Sequence, residues 1–183
     1  MRGYFGIGVE TISKPMNAGN LFRSAHAFGA SFVFAVDPQF SIREAGLADT
    51  SCAANNVPLF EFDSVGDMEL PAGCELVGVE LVEDAVSLPS FRHPRRCAYV
   101  LGPERGNLSD AMLARCRHVV KIPTKFCINV GVAGAIVMYD RQLSLGRFAE
   151  RPVAAGGNMS PLPPPVHGRP VLRTVGRRGG SET

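Results

Sequence analysis

The stretch IPTKFCINVGVAGAIVMYDRQL, Ile122–Leu143, reads as the end of a strand, a loop and an apolar helix. The helix opens at Asn129 and continues with Gly131, Ala133, Gly134 and Ala135 before a run of bulky residues. Small residues let a second backbone or a ligand come close, and an asparagine at such a boundary caps a helix or holds a substrate. Two other polar, glycine-bearing stretches bear on the choice: NAGNLFRSAHAFGA (Asn17–Ala30) and LGPERGNLS (Leu101–Ser109).

Working outward, YFGIGVE (Tyr4–Glu10) suits a buried strand, and SKPMN breaks the chain after it. Ala18, Leu21, Ala25 and Phe28 recur at helical spacing, with Gly29 as the stop. SFVFAVD (Ser31–Asp37) is β-branched and aromatic, so the first forty residues make a strand–helix–strand unit of a parallel sheet. Further strands are expected at Val57–Phe62, Glu75–Leu81, Cys97–Gly102 and His118–Pro123, with helices at Ser109–Arg115 and from Asn129 to about Phe148. This alternation predicts an α/β fold, a mostly parallel sheet with helices on both faces. Ligands of such sheets gather at the strand carboxyl ends. Asn17, Gly102–Ser109 and Lys125–Asn129 all follow strands at that edge.

The chain has 183 residues, of which 45% are hydrophobic, enough for one domain with a sizeable core. No apolar run has transmembrane length, and MRGYFGIGVE lacks a signal-peptide core, so a cytoplasmic protein is expected. Cys52, Cys74, Cys97, Cys116 and Cys127 are scattered without a C-x-x-C pair, which points to free thiols, and the four histidines do not reach metal-ligand spacing with them. The net charge of +2 divides unevenly: residues 1–149 carry −1, and the remainder holds five arginines against two glutamates. That remainder also has six prolines, including PLPPP, so 1–149 is expected to be the folded domain and 150–183 a flexible basic tail.

There is no G-x-G-x-x-G after the first strand, no G-x-x-x-x-G-K-[ST], and no G-x-S-x-G or H-E-x-x-H. Ordinary dinucleotide, ATP and hydrolase chemistry is therefore not indicated. Asn17, Gly19, Asn20 and Arg23 cluster at the mouth of the first helix, where either asparagine is a fair cap and Arg23 an ordinary surface arginine. In LGPERGNLSD, Gly106 and Asn107 permit a tight turn, and Ser109 is a good N-cap.

Together and in this order, the three stretches resemble the SpoU/TrmH branch of the SPOUT superfamily, RNA 2′-O-ribose methyltransferases. The first motif of that family looks like Asn17, Asn20, Arg23 and Ala25; the second like Gly102, Glu104, Leu108 and Ser109; the third like Ile122, Pro123, Asn129, Val130 and Ala133. The likeness covers residues 4–148. Asn107 stands where the family has glycine; asparagine is the next best residue at positive φ, so the turn is expected to survive. Cys127 stands where the family has serine, and a thiol is the weaker hydrogen-bonding group.

The resemblance implies a C-terminal trefoil knot, an exception to the rule against knotted chains, with S-adenosyl-L-methionine held in it. Val79, Leu101, Gly102, Ile122, Cys127 and Ile128 are the implied cofactor-binding positions. Gly131, Ala133 and Gly134 would let the last helix pass close to threaded backbone. Arg23, Asn17, Glu104 and Asn129 are the implied catalytic set. An arginine stays protonated and is no base by itself, so Arg23 is expected to grip the phosphate beside the target ribose and orient the 2′-hydroxyl, whose proton leaves through that phosphate or through Arg23 in a transiently neutral form. Glu104 would orient Arg23 or a neighbouring hydroxyl. Asn20, Arg23, Arg105 and Lys125 are the expected RNA contacts, with Arg2, Lys14, Arg43, Arg92, Arg95 and Arg96 as further cations. The family implies a homodimer acting on structured RNA, with transfer RNA preferred over ribosomal RNA, and no metal or membrane. Two rivals stand beside this reading. One is a SPOUT-fold binding protein without catalysis; the other is a flavodoxin-like domain, for which Glu10 alone offers the needed acidity after the first strand.

Overall fold

The computed structural model describes residues 3–41, 57–146, 148, 151, 152 and 155–157. Arg2, Arg43, Cys52 and most of the expected tail lie outside the described residues. Among the described residues there are seven strands: β1 (Tyr4–Glu10), β2 (Phe32–Val36), β3 (Leu59–Phe62), β4 (Glu75–Val79), β5 (Val86–Ser87), β6 (Arg96–Leu101) and β7 (His118–Lys121). The helices are α1 (Pro15–Phe28), α2 (Asp110–Arg115) and α3 (Val130–Leu145), with a short 3₁₀ turn at Leu88–Ser90. The strand order is β3-β2-β1-β6-β4-β7-β5, and every neighbouring pair is parallel. The two-residue β5 was not expected from the sequence, because so short a strand carries no periodicity.

Each face of the sheet has its own apolar layer. On one, Ile7, Val9, Val33, Val77, Tyr99 and Val120 pack against Leu21 and Ala25 of α1 and Val137 and Met138 of α3. On the other, Phe32, Phe34, Leu76, Ala98 and Val100 meet Leu108 and Met112 at α2. The GIG of β1 serves this second layer. In the parallel register Gly6 lies opposite Phe32 and Gly8 opposite Phe34, and the two rings fold across the glycines. A Cβ at Gly6 would stand 2.3 Å from the Phe32 ring, and one at Gly8 2.4 Å from the Phe34 carbonyl oxygen.

Helix α1 begins at Pro15, earlier than the apolar spacing implied. Proline is preset for a first helical position, and Lys14 is the N-cap residue. Asn17 therefore lies inside the first turn and is not the cap of α1; its side chain bonds to Glu104 and Asn129 instead. Gly29, at φ 76, ends the helix in the left-handed conformation, and Ala30 N donates to Ala25 O at 2.9 Å across that end.

Helix α3 crosses α1 on its small residues. A Cβ at Gly134 would stand 2.1 Å from Leu21 Cδ1, and one at Gly131 3.2 Å from Asn20 Cβ. The close neighbours at these two glycines come from α1: the Asn20 Cβ and Leu21 backbone N at Gly131, and the Leu21 side chain at Gly134. The far half of α3 is anchored by the buried Arg141, which donates to the carbonyls of Tyr4, Pro94 and Arg95, at 2.6 Å for Pro94. Next to it Asp140 holds Nε2 of the buried His93 at 2.8 Å.

Gly8→Ala is expected to destabilise by about 2 kcal/mol or more, since backbone of the adjoining strand has to move. Gly19→Ala, where a Cβ meets nothing within 4 Å inside α1, is expected to stabilise by about 0.5–1 kcal/mol. Urea midpoints of the two variants against the parent test both.

Candidate active site

The register sets the site. Val9 of β1 lies opposite Leu101 of β6, Leu101 opposite Val79 of β4, and Val79 opposite Val120 of β7. Four strands therefore end on one line, and the segments that follow them open into one cleft of about 390 Å³. Val79, Leu101, Ile122, Ile128, Val130 and Ala133 supply its apolar wall; Lys14, Asn17, Glu80, Glu104, Cys127 and Asn129 supply its polar groups.

Glu104 is the hub. Its Oε1 accepts from Asn17 Nδ2 at 2.8 Å and Lys14 N at 3.1 Å, and its Oε2 from Ser13 Oγ at 3.0 Å and Ser13 N at 3.2 Å. Thr11 makes the turn that presents these donors: it sits at φ 51, a rare conformation for a β-branched residue. The chain of bonds continues through Asn17, whose Oδ1 accepts from Asn129 Nδ2 at 2.9 Å. Asn129 Oδ1 in turn accepts from Gly131 N at 2.9 Å, capping α3. Every donor in this series points towards the Glu104 carboxylate, so each amide has one permitted orientation.

Burial raises the pKa of Glu104, but hydrogen bonds from Asn17, its own backbone N–H and Ser13 outweigh it and hold the carboxyl below its ordinary 4.5. A carboxylate so depressed and so fully donated to is an anchor rather than a base at neutral pH.

Two further carboxylates tie the same loop. Buried Glu10 accepts from Ser109 N at 2.8 Å and Ser109 Oγ at 2.5 Å, and Ser109 caps α2 through Met112 N. Glu80 Oε2 accepts from Leu108 N at 2.8 Å. The left-handed position in the loop is Gly106, at φ 116; Asn107 is not at positive φ, so its difference from the family's glycine costs the turn nothing.

Asn17, Glu104 and Asn129, and all of Val79, Leu101, Gly102, Ile122, Cys127 and Ile128, line this one cleft. Arg23, Asn20, Arg105 and Lys125 do not. Arg23 is exposed on α1, and no hydrogen bond or ion pair joins it to Glu104, whose partner is the Ser13 hydroxyl. Arg105 and Lys125 are exposed beside lining residues Glu104 and Thr124. Asn20 packs its Cβ against Gly131. Sequence reasoning passed over Ser13 and Glu80. The signal for Glu80 was an acid closing an apolar strand at the ligand-bearing edge.

Residues 5–139 match the SpoU rRNA Methylase family. The chain belongs to that family. Its relatives include the tRNA (guanosine(18)-2′-O)-methyltransferase of Escherichia coli (strain K12), 26% identical over 73% of this chain and 61% of that protein. The mouse tRNA (guanosine(18)-2′-O)-methyltransferase TARBP1 is 30% identical over 74% of this chain and 9% of its own length. The chain thus spans less than two thirds of these curated relatives. In fold it is similar to the SpoU methyltransferase AviRb from Streptomyces viridochromogenes, solved with AdoMet, at TM-score 0.68, 20% identity, and coverage of 77% of this chain and 60% of that one. For a SpoU family member, the all-parallel sheet with helices on both faces is the expected architecture, and the cleft falls on the expected motifs.

A depressed carboxylate stabilises the fold fully above its unfolded pKa, and the contribution is lost as pH falls through the folded value. Glu104→Gln is therefore expected to lower the urea midpoint at about pH 7, with the gap from wild type closing as pH drops from about 5 towards 3. A gap independent of pH would show that the Glu104 charge carries none of it.

Proposed function

We propose that the protein is an S-adenosyl-L-methionine-dependent RNA ribose 2′-O-methyltransferase, with transfer RNA as the favoured substrate over ribosomal RNA. One observation carries this reading: the three motif stretches, far apart in sequence, meet in a single cleft joined by the Glu104–Asn17–Asn129 chain. Family membership supports the reaction, and the two relatives that act on guanosine 18 of tRNA support the substrate.

The residues present suit the cofactor. A volume of about 390 Å³ lies in the range of small-molecule sites. Aliphatic walls from Val79, Leu101, Ile122 and Ile128 suit an adenine face, and Gly102 leaves backbone accessible beside them. The cofactor, when bound, supplies a methyl group activated by a sulfonium. The protein's task is to align a ribose 2′-oxygen and let its proton depart. Asn129 and Asn17, their orientations set from Glu104, hold the loop edge of the site. Arg23 grips the adjoining phosphate bidentately and orients the 2′-hydroxyl, whose proton leaves by way of that phosphate. Asn20, Arg105 and Lys125 add phosphate contacts around the opening. The trefoil knot and a cytoplasmic setting belong to the same reading.

The homodimer does too. Val132, Ile136, Tyr139 and Leu143 form an apolar stripe along the outer side of α3, with Val132 51% and Tyr139 53% exposed. This spacing gives one continuous helix face suited to a second copy. Ile136→Glu is expected to convert a dimer into a monomer in sedimentation velocity; an unchanged sedimentation coefficient speaks against this face.

Arg23 is exposed and not among the residues that line the cleft, which favours one alternative: a protein that binds cofactor and RNA without transfer. Incubation of the full chain with methyl-labelled cofactor and bulk RNA, followed by nucleoside mass spectrometry, decides between them. A labelled 2′-O-methylnucleoside is expected. Arg23→Ala and Arg23→Lys are each expected to slow single-turnover transfer by about a hundredfold or more. Near-parental rates in both would reduce Arg23 to a surface residue.

A further inference from the structure

Glu80 stands in the cleft wall immediately after β4. Its two oxygens serve two different backbone amides: Oε1 accepts from Leu81 N at 2.8 Å and Oε2 from Leu108 N at 2.8 Å. The second bond spans 28 residues and ties the end of β4 to the loop that follows its neighbour β6. Leu108 is simultaneously fixed from below, since its side chain is buried in the layer beneath α2. Gly102 lies against this bond. A Cβ there would stand 3.0 Å from Leu108 N and 3.3 Å from Glu80 Oε2.

We infer that Glu80 is a positioning residue for the cofactor cleft: it fixes the Gly102–Leu108 loop at the separation from β4 that admits an adenosyl group. The inference rests on the reading of this cleft as the S-adenosylmethionine site. Both bonds need an acceptor, and a carboxylate is acceptor-only. Methionine has nearly the same length but no strong acceptor, so it leaves the partly buried Leu108 N–H unpaired. Glutamine keeps one oxygen for Leu108 while the exposed Leu81 N–H turns to water, so the amide is the milder change. Gly102 acts on the same bond from the opposite side, so changes at 80 and 102 share one energetic origin.

The test uses the full chain as wild type, Glu80→Met, Glu80→Gln, Gly102→Ala and the double variant Glu80→Met/Gly102→Ala. Hydrogen exchange of the Leu108 amide is expected to quicken about tenfold or more in Glu80→Met and less in Glu80→Gln, while the amides within β4 and β6 keep their protection. By calorimetry with S-adenosylmethionine, Glu80→Met is expected to raise Kd by about 5- to 50-fold. In the transfer assay, KM for the cofactor rises while KM for RNA stays within about twofold. The double variant is expected to bind no worse than the weaker single variant, because both changes break one bond.

Unchanged Leu108 exchange, fully additive effects, or a fall in Tm with parallel loss of cofactor and RNA affinity each overturns the assignment. Failure of the wild-type protein to bind S-adenosylmethionine overturns the cleft reading, and with it this role for Glu80, whatever the exchange data show.

Discussion

The Glu104 carboxylate gathers four donors from a segment some ninety residues earlier, and the rest of the site depends on that convergence. A carboxylate at the edge of a sheet keeps its charge only if hydrogen bonds replace the water it gives up. Ser13, Lys14 and Asn17 make that replacement, and in doing so they fix the entry of α1 against the loop after β6. Because Glu104 can only accept, Asn17 has to donate, and the oxygen it then presents has to meet the amide of Asn129. Asn129 is left with its oxygen towards the first amides of α3, where the helix dipole favours an acceptor. One ionised group thereby imposes direction on three segments.

Glu10 and Glu80 repeat the device on a smaller scale. Each lies at or just beyond the end of a strand adjacent to β6, and each takes an amide of the Leu108–Ser109 corner. The loop is thus held by side chains from strands on either side of its own. A loop fixed in this way presents its backbone to a ligand without needing to be ordered by it, which lowers the entropic cost of binding. The acidic clamps carry no information about RNA. Lys14, in the cleft lining, and Arg105 and Lys125, next to lining residues, are exposed cations at the cleft.

The small residues of α3 have a packing purpose before any other. Gly131 and Gly134 leave room on α3 for Asn20 and Leu21 of α1, so that Asn17 and Asn129 come within hydrogen-bond distance. A larger residue at 134 would meet Leu21 and push the helices apart, and the asparagines with them. The buried Arg141, bonded to carbonyls where β1 and β6 begin, fixes the other end of the same helix. The helix is held at both ends of the sheet and covers the layer between.

The sequence by itself determined the α/β class, the main strands and the loops that border the cleft. These follow from local rules: apolar runs of strand length, a 3.6-residue period, and polar or glycine residues where parallel strands deliver their ligand loops. Asn17, Glu104, Asn129 and the six cleft positions were legible only through the resemblance of three motif stretches to the SpoU/TrmH family; local rules gave no more than the loops that carry them. Only the tertiary structure decided which groups meet. The strand order puts β1 beside β6 and β6 beside β4, a choice no periodicity encodes, and of the two partners expected for Glu104, Arg23 or a neighbouring hydroxyl, it gave the Ser13 hydroxyl, together with Lys14 and Asn17; it also gave Leu108 to Glu80. Local chemistry selects which side chains need partners, but pairing between distant segments is set by sheet register, and register is a property of the whole packed core.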